Sequence, residues 1–182
     1  MEEYAYVLDY LPQGRPDDRS YRSSPVVLAI GETEFKLLEL IPKPNEIITV
    51  GEKVYIGKNP EMRKKILSVR RRIMYKDLTS AAQSELPYVL EDIVSKQEGR
   101  FIEFFNKAEP INARLHSLEL LPGLGNKTMW AILEERKKKP FTSFADLTER
   151  VKSIHNPQKM IVNRIIDELK DRFEKYKLFV AK

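Results

Sequence analysis

The most specific chemical pattern in the chain is a glycine-rich turn between two apolar segments, Leu120-Leu121-Pro122-Gly123-Leu124-Gly125-Asn126-Lys127-Thr128. Glycines in such a place can serve simply to relieve the backbone at the end of a helix. The pattern also suits an anion, because the N-terminus of the following helix carries a partial positive charge of about one half, and Lys127 adds a full one. The turn is therefore a candidate binding site.

The residues after the turn extend this pattern. A helical segment, Ala131-Ile132-Leu133-Glu134-Glu135-Arg136, leads to Phe141-Thr142-Ser143-Phe144-Ala145-Asp146-Leu147, and the whole order resembles the helix-hairpin-helix family. The resemblance implies that the glycines bring the chain close to a nucleic-acid backbone and that main-chain amides point at a phosphate. The residues to which it assigns this contact are Gly123, Gly125, Asn126, Lys127 and Thr128.

Positive charge is concentrated in the basic segment, which we define as residues 58–76. It carries eight basic residues and one acid, a net charge of +7, whereas the whole 182-residue chain has +5. Crowded like charges repel unless a polyanion relieves them, so we expect nucleic-acid contacts here; a solvated face is the competing interpretation. The residues concerned are Arg63, Lys64, Lys65, Arg70, Arg71 and Arg72, joined by Arg15, Arg19 and Arg22 from the loop that precedes Ser24.

The composition excludes several classes of protein. The chain has no cysteine and two histidines, His116 and His155, which excludes disulfides, thiolate metal sites and cysteine nucleophiles. No cluster of carboxylates suggests a metal centre, so we expect no metal and no cofactor. No apolar run reaches the roughly 18 residues of a membrane span, and no signal peptide is visible. We therefore expect a soluble, cytoplasmic protein without a membrane partner.

The first third of the chain predicts a small β domain. Turn residues separate runs of β-branched and aromatic residues, and these runs predict strands near residues 4–11, 26–30, 34–41, 53–56 and 65–74. The last run also fits a helical stripe. Five short strands suggest a small barrel similar to the OB-fold, which binds single strands by stacking and phosphate attraction.

Strand alternation decides which side chains such a barrel would offer. It places Tyr4, Tyr6, Leu8 and Tyr10 on one face of the first strand, where the tyrosines could stack on bases or simply fill the core. On the last strand it turns Arg70 and Arg72 away from the apolar side, which would consist of Leu67, Val69 and Ile73.

The rest of the chain is predicted to be helical. Thr79 can cap a short helix, Pro87 suits the first turn of the next, and Gly99 ends that helix. Further helices are expected near residues 111–120, 127–138, 144–151 and 158–176. The predicted fold is α+β: an OB-like β domain (1–79), a helical connector (80–109) and an all-α helix-hairpin-helix domain (110–182), with the boundary near Pro110.

A second hairpin is expected at residues 151–159. It has the spacing of the first but neither glycine, because Ser153 takes the first position and Pro157 lacks an amide donor. We interpret it as a degenerate hairpin that keeps a packing role, with His155 as a turn residue and His116 as a structural histidine on the preceding helix. Trp130 lies away from the hairpin core, so we expect it either to dock on Phe101, Phe104 and Phe105 or to stack on a ligand.

Taken over nearly its full length, the chain resembles an archaeal family of uncharacterised proteins. The resemblance rests on the Tyr-rich start, the Val-Gly-x-Lys-Val-Tyr-Ile-Gly run at 50–57, the Arg-Arg-Arg segment, Phe104-Phe105-Asn106 and the hairpin. It implies an OB-like domain followed by a helix-hairpin-helix, nucleic-acid binding with RNA favoured over DNA, and a setting in translation or ribosome assembly. It supplies no catalytic residues.

Two other functions compete with non-enzymatic nucleic-acid binding. A DNA-repair glycosylase would use Lys127 as a Schiff-base nucleophile with Asp146 as its carboxylate, but the flanking helical domain that forms a base-flipping pocket is missing. An adaptor would dock on ribosomal or RNA-polymerase subunits through the acidic connector and the apolar tail at residues 175–180. Salt dependence of binding separates nucleic acid from a protein partner.

Overall fold

The structure is a computed structural model that describes residues 1–16 and 24–182. Arg19 and Arg22 of the predicted site lie outside these residues. The chain has the expected mixed α+β composition. Its elements are β1 (Tyr4–Leu11), β2 (Val26–Gly31), β3 (Leu37–Pro42), β4 (Lys53–Tyr55), β5 (Ile66–Arg72), α1 (Ser80–Lys96), α2 (Glu98–Lys107), β6 (Pro110–Asn112), β7 (Leu115–His116), α3 (Asn126–Lys138), α4 (Phe144–Arg150) and α5 (Pro157–Lys170).

The chain forms two compact units. The first comprises residues 1–89 and 168–182, and the second comprises residues 90–167. These bounds fall inside α1 and α5, whereas the sequence placed its divisions at residues 79 and 109. The first unit includes the C-terminal segment, whose Ala181 amide donates to the Glu34 carbonyl at 3.0 Å.

The first unit contains a curled antiparallel sheet in the order β4-β1-β2-β3-β5. All five predicted strands are present, and β5 is a strand rather than a helix. β3 begins at Leu37 instead of residue 34 because Phe35 has a φ of 56°, which interrupts an extended chain. One face carries the apolar core cluster Ala5, Val7, Val27, Ala29, Leu38, Leu40, Val54, Ile56 and Ile66.

Two irregularities change the predicted faces. A shift in register after Val7 turns Tyr10 toward the core cluster while Tyr6 is buried, so the tyrosines do not form one exposed face. On β5 the prediction is also wrong: Leu67 and Val69 are 54% and 40% exposed. The sheet thus offers no tyrosine platform of the kind that alternation suggested.

Several helix predictions need correction. Pro87 lies inside the single helix α1, because the buried stripe continues across it through Leu86 and Leu90, and Gly99 lies within α2. Residues 111–120 form the β6–β7 hairpin and a short 3₁₀ helix (Ser117–Leu120), so His116 is not on a helix. α5 ends at Lys170, six residues before the predicted end. α3 and α4 lie within a residue of their predicted bounds.

Candidate nucleic-acid interface

The α3 turn, residues 121–127, connects the 3₁₀ helix to α3 in the second unit. Leu121 and Leu124 are buried, and the Leu124 amide donates to the Leu121 carbonyl at 3.1 Å. Gly123 between them has a φ of +84°, a left-handed conformation that L side chains rarely adopt. The buried leucines therefore anchor the turn, and the glycine lets the backbone reverse.

Gly125, unlike Gly123, is not required by the backbone conformation. Its φ of −90° and ψ of 176° are open to any residue, and a Cβ there meets no described atom within 4 Å apart from its chain neighbours. It occupies the N-cap of α3, where in the described structure no side chain accepts from the first helical amides. The space in front of those amides is therefore open, and Gly123, Gly125, Asn126 and Lys127 are all exposed.

Thr128 has a different role from the one expected. Its side chain is buried, and its hydroxyl donates to the Ser153 hydroxyl at 2.8 Å. The bond ties the start of α3 to the α5 turn, residues 151–157, which is the predicted second hairpin. The Thr128 side chain therefore holds two turns together instead of facing a ligand.

The α5 turn shares a pair of buried residues and one main-chain bond with the α3 turn, but no residue between its buried positions adopts the left-handed conformation of Gly123, and its helix start differs. Val151 and Ile154 are buried in the places of Leu121 and Leu124, and the Ile154 amide donates to the Val151 carbonyl at 3.1 Å. Here, however, Asn156 caps α5, because its Oδ1 accepts from the Lys159 amide at 3.0 Å. One turn closes its helix with its own side chain, and the other leaves its helix start open.

His116 and Asp146, two titratable residues named in the sequence analysis, are both bound within the second unit. His116 Nδ1 accepts from the Leu118 amide at 3.1 Å, and burial together with the charge of Arg136 lowers the pKa of His116. Asp146 accepts from the Thr142 amide at 3.0 Å and from Arg150 at 3.1 Å; both bonds hold the pKa of Asp146 below its ordinary value despite some burial. Asp146 thus serves the first turn of α4.

The basic segment is organised around one acid. Glu39 is fully buried on β3, and Arg15, Arg70 and Arg71 all form ion pairs with it. Two consecutive arginines can reach the same carboxylate because β5 has an irregularity opposite Glu39. Burial alone would raise the pKa of Glu39, but bonds from Arg15 and Arg71 outweigh burial and lower it.

Three of the other six cations of the basic segment also have acceptors in the first unit. Arg72 donates to the Ala181 and Lys182 carbonyls at 2.6 and 3.0 Å, Arg63 donates to the Gly57 carbonyl at 2.5 Å, and Lys65 pairs with Glu52 at 2.8 Å. Lys64 is exposed. Arg15 was predicted to contact nucleic acid, and this prediction is wrong. Its side chain is only 12% exposed and also donates to the Asp77 carbonyl, so it lies in the interior.

Glu39 was not predicted from the sequence, and Trp130 was misplaced. Glu39 could have been found, since a lone acid within the apolar run Leu37-Leu38-Glu39-Leu40 predicts a buried cationic partner. The predicted docking of Trp130 on the connector phenylalanines is wrong, because Trp130 is 61% exposed while Phe101 and Phe105 are fully buried.

Within residues 1–16 and 24–182, no helix is long and apolar enough to cross a membrane, and no group of three His, Asp or Glu could hold a metal.

Comparison with known proteins places the chain among archaeal relatives. It is 52% identical over 181 residues to the uncharacterised protein MJ0038 of Methanocaldococcus jannaschii, covering 99% of this chain and 80% of that protein. The crystal structure of Af1531 from Archaeoglobus fulgidus matches with a TM-score of 0.91 and 49% identity, covering 99% of this chain and all of that one. Residues 1–181 match the family described as a protein of unknown function, DUF655. The chain therefore belongs to the DUF655 family.

Proposed function

We propose that this protein binds nucleic acid, without catalysis, through the α3 turn. The observation that carries the proposal is the uncapped, exposed start of α3, where Gly125 leaves room for a ligand and Lys127 adds charge. A phosphate there would accept from main-chain amides and be stabilised by the helix dipole. The proposal includes the fold assignments: an OB-like domain for the five-stranded sheet and a helix-hairpin-helix domain for the α3 turn with its helices.

The paired turns support the proposal by internal comparison. Both turns have two buried residues three apart that are joined by a main-chain bond, yet only the α5 turn closes its helix start with a side chain, that of Asn156. The difference lies at the position where a phosphate would bind. We propose RNA over DNA as the ligand, in translation or ribosome assembly, on the strength of the sequence resemblance; crosslinking and sequencing in the native cell tests that setting.

The test places a negative charge in each turn. Gly125→Asp fills the open space and repels phosphate, while its carboxylate can cap α3, so stability should be kept. Binding of a labelled oligonucleotide, measured as RNA and as DNA by fluorescence anisotropy, should weaken at least about tenfold. Asn156→Asp makes the corresponding change at the N-cap of α5 and should alter affinity far less. Equal effects of the two variants would refute the α3 turn as the site.

A trapping experiment addresses the glycosylase alternative. Lys127 acting as a nucleophile would form a Schiff base with an oligonucleotide that contains an abasic site, and borohydride would trap it covalently. We expect no adduct, because Asp146 is bonded to Thr142 and Arg150. An adduct that Lys127→Gln abolishes would overturn the non-enzymatic proposal. The trapped product can be measured on a denaturing gel.

A further inference from the structure

A cleft of about 720 Å³ in the first unit lies outside the site proposed above. One wall is the end of β5 with the residues that follow it, and the other is the end of α5 with the segment after it. Among its lining side chains six are basic and two, Glu168 and Glu174, are acidic. The six are Arg72, Lys76, Lys170, Arg172, Lys177 and Lys182.

Both acids of the cleft are bonded to main-chain amides. Glu168 is fully buried, and its carboxylate accepts from the amides of Leu178, Phe179 and Val180 at 2.8 to 3.0 Å. Glu174 accepts from the Tyr176 amide at 3.2 Å. These bonds hold the segment after α5 in place, with both carboxylates directed at its main chain. With six cations against two carboxylates, the net side-chain charge of the cleft lining is +4.

Aromatic rings are interleaved with these cations. Lys170 Nζ lies 5.5 Å from the centroid of the Tyr75 ring, and the Arg172 guanidinium lies 4.9 Å from that of Phe173. Phe173 is 82% exposed. An exposed ring beside cations is the combination with which proteins hold single strands, by stacking on a base and attracting its phosphates.

We propose that this cleft binds single-stranded nucleic acid, with an unpaired base on Phe173 and phosphates on Lys76, Lys170 and Lys177. The inference rests on the proposed function and adds the class of strand and a second contact region. A ring at the rim can stack only on a base that is free of its partner, so a duplex would gain the phosphate attraction alone. Stacking is tolerant of sequence because every base has a π face.

The experiment measures anisotropy of a short labelled oligouridylate and of a duplex of the same length. Phe173→Leu keeps an apolar side chain without a π face and should weaken single-strand binding about tenfold, with little change for the duplex. Replacing Lys76, Lys170 and Lys177 by Gln should reduce the log–log salt slope by about 2 for the single strand. Lys175→Gln is the matched control, since Lys175 is exposed on the same segment but does not line the cleft.

Three results would overturn the inference that the cleft binds a single strand. Unchanged single-strand affinity in both cleft variants, or an equal loss with Lys175→Gln, overturns the inference. Uridine monophosphate binding as tightly as the oligouridylate also overturns it, in favour of a small-ligand cleft, a possibility that the volume allows. Thermal unfolding checks that each variant folds.

Gly125→Asp separates this inference from the proposed function. Loss of binding in that variant, with none in the cleft variants, leaves the α3 turn standing and refutes the cleft. Loss in the cleft variants alone refutes the α3 turn and supports the cleft. Wild-type protein that binds neither oligonucleotide refutes both.

Discussion

The basic segment and the α3 turn differ in how the fold uses their charge. The basic segment carries a net +7, yet Arg70 and Arg71 bond to buried Glu39, and Arg63, Lys65 and Arg72 bond to other acceptors of the same unit. The α3 turn has the single lysine Lys127, but its helix start is uncapped and exposed. Charge therefore marks a candidate ligand site only where the fold leaves it directed at solvent.

The largest effect should come from Glu39→Gln, which tests whether the basic segment is organised from within. Removing the carboxylate leaves Arg15, itself almost buried, without its charged partner. The loss of a partner from a buried pair costs about 3 to 5 kcal/mol. Urea unfolding should show this decrease in the free energy of unfolding.

Glu52→Gln is the control for that prediction. Glu52 pairs with Lys65 in a partly exposed bridge, so its loss should cost at most about 1 kcal/mol. Equal stability of the two variants would mean that Glu39 does not organise the segment. If Glu39→Gln instead folds well and binds oligonucleotide more tightly, the arginines were held back from a ligand.

The two glycines of the α3 turn should separate backbone strain from room for a ligand. Gly123→Ala forces a side chain into a left-handed conformation and should cost about 1 to 2 kcal/mol of stability. Gly125→Ala meets neither strain nor a neighbouring atom, so it should cost less, about 0.5 to 1 kcal/mol, the difference between glycine and alanine at an N-cap. Oligonucleotide affinity should nonetheless fall in this milder variant. Unchanged affinity in Gly125→Ala would mean that the open space has no ligand.

The strands were predictable because short-range signals set them. Turn residues bound each run, and the five predicted strands all occur. The side chains on each face of the strands were not predictable. One-residue irregularities at Val7 and opposite Glu39 change the alternation, and such irregularities depend on pairing between strands. Pro87 illustrates the same limit: local preference predicts a helix start, whereas the buried stripe carries the helix through.

The candidate site was also predictable only in part. The Gly123 turn was predictable because a glycine between two leucines has a local conformational cause. The hydroxyl pair of Thr128 and Ser153 and the pairing of Arg15 with Glu39 were not, because each joins residues distant in sequence. Counting charge along the chain cannot reveal an acceptor that only the folded sheet brings close.

A smaller effect, about 1 kcal/mol, should appear as pH falls below about 6.5. The folded chain lowers the pKa of His116 through burial and Arg136, against a smaller opposing effect of Glu119. The unfolded chain therefore takes up the proton first, and stability is lost as pH falls. Protonated Nδ1 also cannot accept from Leu118, which loosens the 3₁₀ helix before the α3 turn.

His116→Asn measures that contribution directly. Asparagine can accept the same amide bond but does not titrate. The free energy of unfolding should therefore depend less on pH in the variant than in the wild type between pH values of about 7.5 and 5.5. Parallel pH profiles would show that His116 titrates alike in the folded and unfolded states.

The smallest effect compares one charge from each region. Lys127→Gln should weaken binding of a single-stranded oligonucleotide severalfold and reduce the log–log salt slope by about 0.7, the share of one phosphate contact. Arg71→Gln removes one charge as well, from a side chain that is 53% exposed but bonded to Glu39. Its slope should stay near that of the wild type, because a guanidinium already paired with a carboxylate releases few counterions from the strand. A larger change in slope for Arg71→Gln than for Lys127→Gln would reverse the comparison and make the basic segment the principal phosphate-binding surface.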